Sequence, residues 1–140
     1  MKFTKKQIND IADGLTSGLK YFINLDTLEY QYVPDNSEYN AEFWDKETDK
    51  IIKGWKNFTT IEQMDSKRSY RVMENFIDEI IEDKRFQEEL HRILSNRKPF
   101  ANFRAVVESS EYREKWFRYR DEQNVNYVKY ILESNEIEFE

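Results

Sequence analysis

Leu19-Lys20-Tyr21-Phe22-Ile23-Asn24-Leu25-Asp26-Thr27-Leu28-Glu29-Tyr30-Gln31-Tyr32-Val33 is the stretch on which the fold class turns. Leu19, Tyr21, Ile23 and Leu25 alternate with Lys20 and Asn24, the period of a strand with one buried face. Asp26 and Thr27 offer a turn. Leu28 to Val33 is then rich in β-formers, and Pro34-Asp35-Asn36 closes the run. These signals predict a β-hairpin, and a hairpin set among helical periodicities makes the chain α+β.

On its N-terminal side, Thr4 and Gln7 have the spacing of a capping box, and Phe3 and Ile8 occupy the two positions of a hydrophobic staple. Ile8, Ile11, Ala12 and Leu15 form one helical face, with Gly14 and Gly18 read as the joints that end it. On the C-terminal side, Trp44, Ile51, Ile52 and Trp55 predict a helix from about Ala41 to Lys56, with Phe43 beside that face. Phe58 to Glu62 can add a third strand. Asp65 or Ser66 then caps a helix whose face is Val72, Met73, Phe76, Ile77, Ile80 and Ile81.

Phe86, Leu90, Ile93 and Leu94 make a further amphipathic helix, and Pro99 suits the first turn of another with Phe100, Phe103, Val106 and Val107 inward. Ser109-Ser110 breaks it, and a last helix runs from about Glu111 to Glu133. The acidic tail from Ser134 is expected to fray. The predicted architecture is a small antiparallel sheet packed against a mainly helical C-terminal half. No repeat, low-complexity run or linker marks a boundary, so 140 residues are read as a single α+β domain with one core.

Charged residues are 36% of the chain, but 16% aromatics with only three Gly and two Pro make it a folding composition rather than a disordered one. Without cysteine, and with His91 as the one histidine, the chain carries no disulfide framework and no His/Cys metal set, so no cofactor is expected. The N-terminus lacks the apolar core of a signal peptide and no stretch is long and apolar enough to span a membrane. A reducing cytoplasm is the expected location.

The one unusual block lies between residues 97 and 120, where Arg-Lys-Pro-Phe-Ala-Asn-Phe-Arg precedes Tyr-Arg-Glu-Lys-Trp-Phe-Arg-Tyr-Arg. Residues 84 to 120 hold 10 basic and 5 acidic side chains and stand between acidic segments. Such a block can meet an anionic partner or dock on acidic parts of its own chain. Arg97, Lys98, Arg104, Arg113, Trp116, Phe117 and Arg118 are therefore the candidate partner-binding residues. Rings that stack on bases beside arginines that contact phosphate would suit RNA. Yet Tyr112, Trp116 and Tyr119 are spaced as a buried helical stripe, and residues 111 to 122 carry no net charge. Exposure of Trp116 separates the two readings.

Catalytic motifs are lacking. With glycines only at 14, 18 and 54, neither the dinucleotide fingerprint nor a P-loop can form. His91 is read as a partly exposed helix residue. The carboxylate pairs, Glu88 with Glu89 and Asp78 with Glu79 and Glu82, fall on faces read as solvated.

Ile11-Ala12-Asp13-Gly14-Leu15 before a Tyr-rich hairpin, Ser69-Tyr70-Arg71-Val72-Met73-Glu74-Asn75-Phe76, Lys98-Pro99-Phe100-Ala101-Asn102-Phe103 and Tyr112-Arg113-Glu114-Lys115-Trp116-Phe117 occur in an order that resembles the bacterial uncharacterised protein family UPF0158, particularly its Bacteroidetes-type members. Tyr119 stands where that family usually has Phe. The resemblance spans nearly the whole chain and implies an α+β domain with no catalytic residues to carry over. The leading expectation is a non-enzymatic interaction module that binds a protein partner or itself. RNA binding through the basic-aromatic block is the second, and a hydrolase using carboxylates is a third that nothing in the sequence recommends.

Overall fold

The first helix, α1 (Lys5–Thr16), starts where its side chains can satisfy the free amides of its first turn. In the computed structural model, which describes residues 1–34 and 46–140, Thr4 Oγ1 accepts from the Gln7 amide at 3.1 Å and Gln7 Oε1 accepts from the Thr4 amide at 2.9 Å. Phe3 and Ile8 are buried in one cluster, as the staple requires. Gly18, at φ 86°, ends the helix in the left-handed conformation. Gly14 does not end it. It lies inside α1, and a Cβ there would run into the ring of Tyr21.

β1 (Leu19–Asn24) and β2 (Tyr30–Pro34) form the hairpin, with Tyr21 opposite Tyr32 and Ile23 opposite Tyr30. Asn24 Oδ1 accepts from the amides of Asp26 and Thr27 at 2.8 and 3.1 Å, and Leu28 at φ 64° completes the loop. The second strand consequently begins at Tyr30, two residues later than its β-formers suggest. After α2 (Lys46–Lys53), β3 (Phe58–Ile61) pairs antiparallel with β1, so the sheet order is β2-β1-β3. The third strand is present and the first strand of the hairpin is central.

Both faces of this sheet are covered. Tyr21, Ile23 and Ile61 pack with Ile8, Ile11 and Leu15 of α1 and with Val128 and Leu132 of α6 (Arg113–Ser134). Phe22 and Val33 pack on the other face with Ile52. That second cover explains why Phe22 interrupts the polar half of the alternation. Of the predicted helix from Ala41, the part with Phe43 and Trp44 lies outside the described residues. Ile51, expected on the buried face, is 43% exposed, because only Ile52 points at the sheet.

The chain divides into two units, residues 1–63 with 124–140 and residues 64–123. In the second, α3 (Ser66–Glu79) is capped by Asp65, which accepts from the Arg68 amide at 2.8 Å, and α4 (Lys84–Leu94) by Asp83. Gln87 Nε2 donates to the carbonyls of Ile77 and Ile81 at 3.0 and 2.7 Å, tying the end of α3 to α4. α5 (Pro99–Glu108) has Pro99 in its first turn. Phe76, Phe103 and Trp116 meet edge to face at the centre, with centroids 5.1 to 6.4 Å apart. The expectation of one core is corrected here. The buried side chains gather in separate clusters, because α3, α4 and α5 bury their apolar faces on one another and on Trp116.

The tail also departs from expectation. Phe3 and Phe139 form a parallel bridge, Phe3 N donates to Glu138 O at 3.0 Å, and Glu140 N donates to Phe3 O at 2.9 Å. Ile137 is buried in the same cluster as Phe3. Its acidic residues alternate with Ile137 and Phe139, so one face is wet and the other is covered. The fold class is α+β, and among the described residues no helix is long and apolar enough to cross a membrane.

Candidate partner-binding surface

α6 begins at Arg113, and its helical repeat separates the aromatic and basic side chains of residues 112–122 onto different faces. Trp116 is only 2% exposed and packs between Phe76 and Phe103. It is a core residue and cannot serve as the contact expected of it, because the stripe spacing turns its ring inward. Among the described residues its buried Nε1 has no hydrogen-bond partner. Phe117, one position on, is half-buried, with the guanidinium of Arg113 5.3 Å and that of Arg120 4.9 Å from its ring centroid.

Arg118 is exposed and lines an open cleft of about 340 Å³ together with Glu79, Glu82, Lys115, Tyr119 and Glu122. Tyr119 donates its hydroxyl to Glu79 Oε2 at 3.3 Å. Burial and the Glu79 carboxylate beside it push that hydroxyl up to about 12. Among the described residues no ion pair joins the carboxylates of this cleft to Lys115 or Arg118.

A second open cleft, of about 420 Å³, is lined by Asp83, Arg85, Phe86, Glu89, Glu111 and Tyr112 with Ser110. Phe86 and Tyr112 stack at 5.6 Å with an interplanar angle of 25°. The ammonium of Lys115 lies 5.6 Å from the centroid of Tyr112.

The remaining candidates stand apart from these. Arg97 and Lys98 are exposed in the turn before α5, and Arg104 is exposed on α5. Among the described residues no hydrogen bond, ion pair or ring contact joins them to the α6 side chains. The structure therefore groups Arg113 with Phe117, and Arg118 with Lys115 and Tyr119, and leaves the other three separate.

Glu79, Glu82 and Glu89 are exposed, as solvated faces require, but periodicity does not show that Glu79 and Glu82 share a cleft with Lys115 and Arg118, or Glu89 one with Tyr112. His91 is half-exposed as expected, but its Nε2 lies 2.9 Å from Asp78 Oδ1 on the neighbouring helix. Ser95 Oγ donates to the His91 carbonyl instead of meeting the ring. Among the described residues no three His, Asp or Glu side chains converge to hold a metal ion.

The family model of the uncharacterised protein family UPF0158 matches residues 5–140. No curated protein and no solved structure matches the chain.

Proposed function

We propose, from the premise that the chain belongs to the uncharacterised protein family UPF0158, that it acts in the bacterial cytoplasm as a non-enzymatic protein-interaction module. The contact surface is the α3–α4 connection with the first half of α6. One observation carries this reading: Glu82, Glu122, Lys115 and Arg118 share an open cleft, yet none of them is in an ion pair among the described residues. Charges of both signs left unpaired beside half-buried rings complement a partner's surface and select against wrong ones. Lack of cysteine suits a reducing compartment.

A photo-crosslinking amino acid at position 118, with the same group at Lys6 as control, tests it in cells. The expected result is one adduct species specific to position 118. The identified protein should bind the purified chain, and Arg118→Glu should change that affinity by about tenfold or more. Equal adducts at both positions would remove the reading.

RNA binding is kept as the second reading on a different observation. Arg97, Lys98, Arg104, Arg113 and Arg118 are exposed and form no ion pair among the described residues. Against it, Trp116 is not available for stacking, and the unit of residues 64–123 carries 13 basic and 13 acidic side chains. Its signature would be a low-salt mobility shift that disappears steeply with added salt and with charge reversal at those positions.

A further inference from the structure

We propose that the Phe86–Tyr112 cleft receives an arginine or lysine side chain from a cationic segment of the partner protein. This rests on the interaction-module reading and gives the partner its chemistry. The floor of the cleft is a stacked pair of rings, both half-buried and both lining the opening. Aromatic faces attract cations, and Tyr112 already carries one, the Lys115 ammonium of its own chain.

The charged groups around the rings decide the sign of the ligand. Asp83, Glu89 and Glu111 stand against Arg85 in the lining and the Lys115 ammonium over Tyr112, three carboxylates to two cations. Asp83 Oδ1 accepts from the amides of Arg85 and Phe86 at 2.9 and 3.3 Å, so it positions the start of α4 beneath Phe86. Glu89 and Glu111 are exposed and have no hydrogen-bond or ion-pair partner among the described residues. Both carboxylates remain available to a guanidinium or ammonium lying on the rings.

The neighbouring cleft continues the same preference. Glu82 lines one cleft and Asp83, the next residue, lines the other, so the α3–α4 connection is common to both. In the first cleft Glu79, Glu82 and Glu122 outnumber Lys115 and Arg118. Glu79 at the end of α3 and Glu82 of the connection thus bring two carboxylates beside the basic run of α6. A cationic peptide is favoured over an anionic one on both sides of the connection.

Fluorescence anisotropy of the full chain with labelled hexa-arginine, hexa-glutamate and single-stranded oligouridine tests this. Hexa-arginine should bind, and Glu89→Gln/Glu111→Gln should weaken it roughly tenfold. Glu29→Gln/Glu133→Gln removes the same charge from exposed sites elsewhere and should change binding by less than about twofold. Phe86→Leu should weaken hexa-arginine without altering the circular dichroism of the chain.

Equal weakening by the two double variants would mean attraction to net negative charge, and would overturn the proposal. Binding of hexa-glutamate that is lost on Arg118→Ala, with none of hexa-arginine, would overturn it and leave the interaction-module reading standing. Oligouridine binding in preference to both peptides would overturn both. Sedimentation of the chain alone reads a further alternative. Self-association abolished by Glu89→Gln/Glu111→Gln would place a second copy in the cleft and overturn the proposal.

Discussion

Gly14 and Tyr21 show how one side chain can set a neighbour's identity. The ring of Tyr21 occupies the space over Gly14, and its hydroxyl donates to the Asp10 carbonyl at 3.4 Å. Gly14→Ala is expected to lower stability by about 1–3 kcal/mol in urea unfolding, since a buried ring must move. The loss should shrink in a Tyr21→Phe background, because the hydroxyl is among the atoms the new methyl would meet. Burial, with Tyr30 and Tyr32 adding to it, pushes the Tyr21 hydroxyl from its ordinary 10 to about 12. A raised pKa in the fold favours the protonated form. Its stabilising contribution is full below pH 10 and is lost as pH rises through 12. Alkaline unfolding monitored by circular dichroism should fall less steeply in that window for Tyr21→Phe. Nothing in the sequence distinguished Gly14 from a helix terminator, since glycine suits a left-handed end and a close approach equally well.

At the scale of elements, caps and turns were the most legible features. Thr4, Asp65 and Pro99 stand at the helix starts their residue types indicate, and the hairpin and third strand form, with β2 starting two residues later than its β-formers suggest. The connection between α3 and α4 was not legible. Gln87 holds it by donating to the carbonyls of Ile77 in the last turn of α3 and Ile81 just beyond it, ten and six residues earlier in the chain. Gln87→Met should cost about 1–3 kcal/mol, because it leaves those part-buried carbonyls without their donor while keeping the volume. Amide exchange at residues 77–83 should quicken more than in β1. An unchanged exchange rate there would show that the connection is held by packing alone. That connection lies between the two clefts, so loosening it should also weaken any ligand seated in them.

For the whole molecule, charge and chain connectivity are the governing features. Residues 64–123 are electrically balanced, and the remaining 9 basic and 15 acidic side chains carry the entire formal charge of −6. The continuous helix α6 supplies residues to both units. We propose on that ground that residues 1–140 unfold as one domain, and calorimetry should record one transition; two would divide it at residues 63–64 and 123–124. Deleting residues 137–140 removes Ile137 and the Phe3–Phe139 bridge, and should lower the urea midpoint by an amount equivalent to about 2–5 kcal/mol. A frayed tail would make the deletion silent.

While the burial of Trp116 came from the fold, the sequence by itself determined the α+β class, the order of elements, the caps at Thr4 and Asp65 and the helical spacing of the Tyr112, Trp116, Tyr119 stripe. Those features depend on interactions between residues a few positions apart, which composition and periodicity record directly. Only the tertiary structure decided that Glu79 of α3 and Glu82 of the α3–α4 connection flank the basic run of α6. It alone decided that Ile137 and Phe139 return to Phe3, and that His91 meets Asp78 across two helices. These arrangements join residues far apart in the chain, and no local period encodes which faces will be brought together.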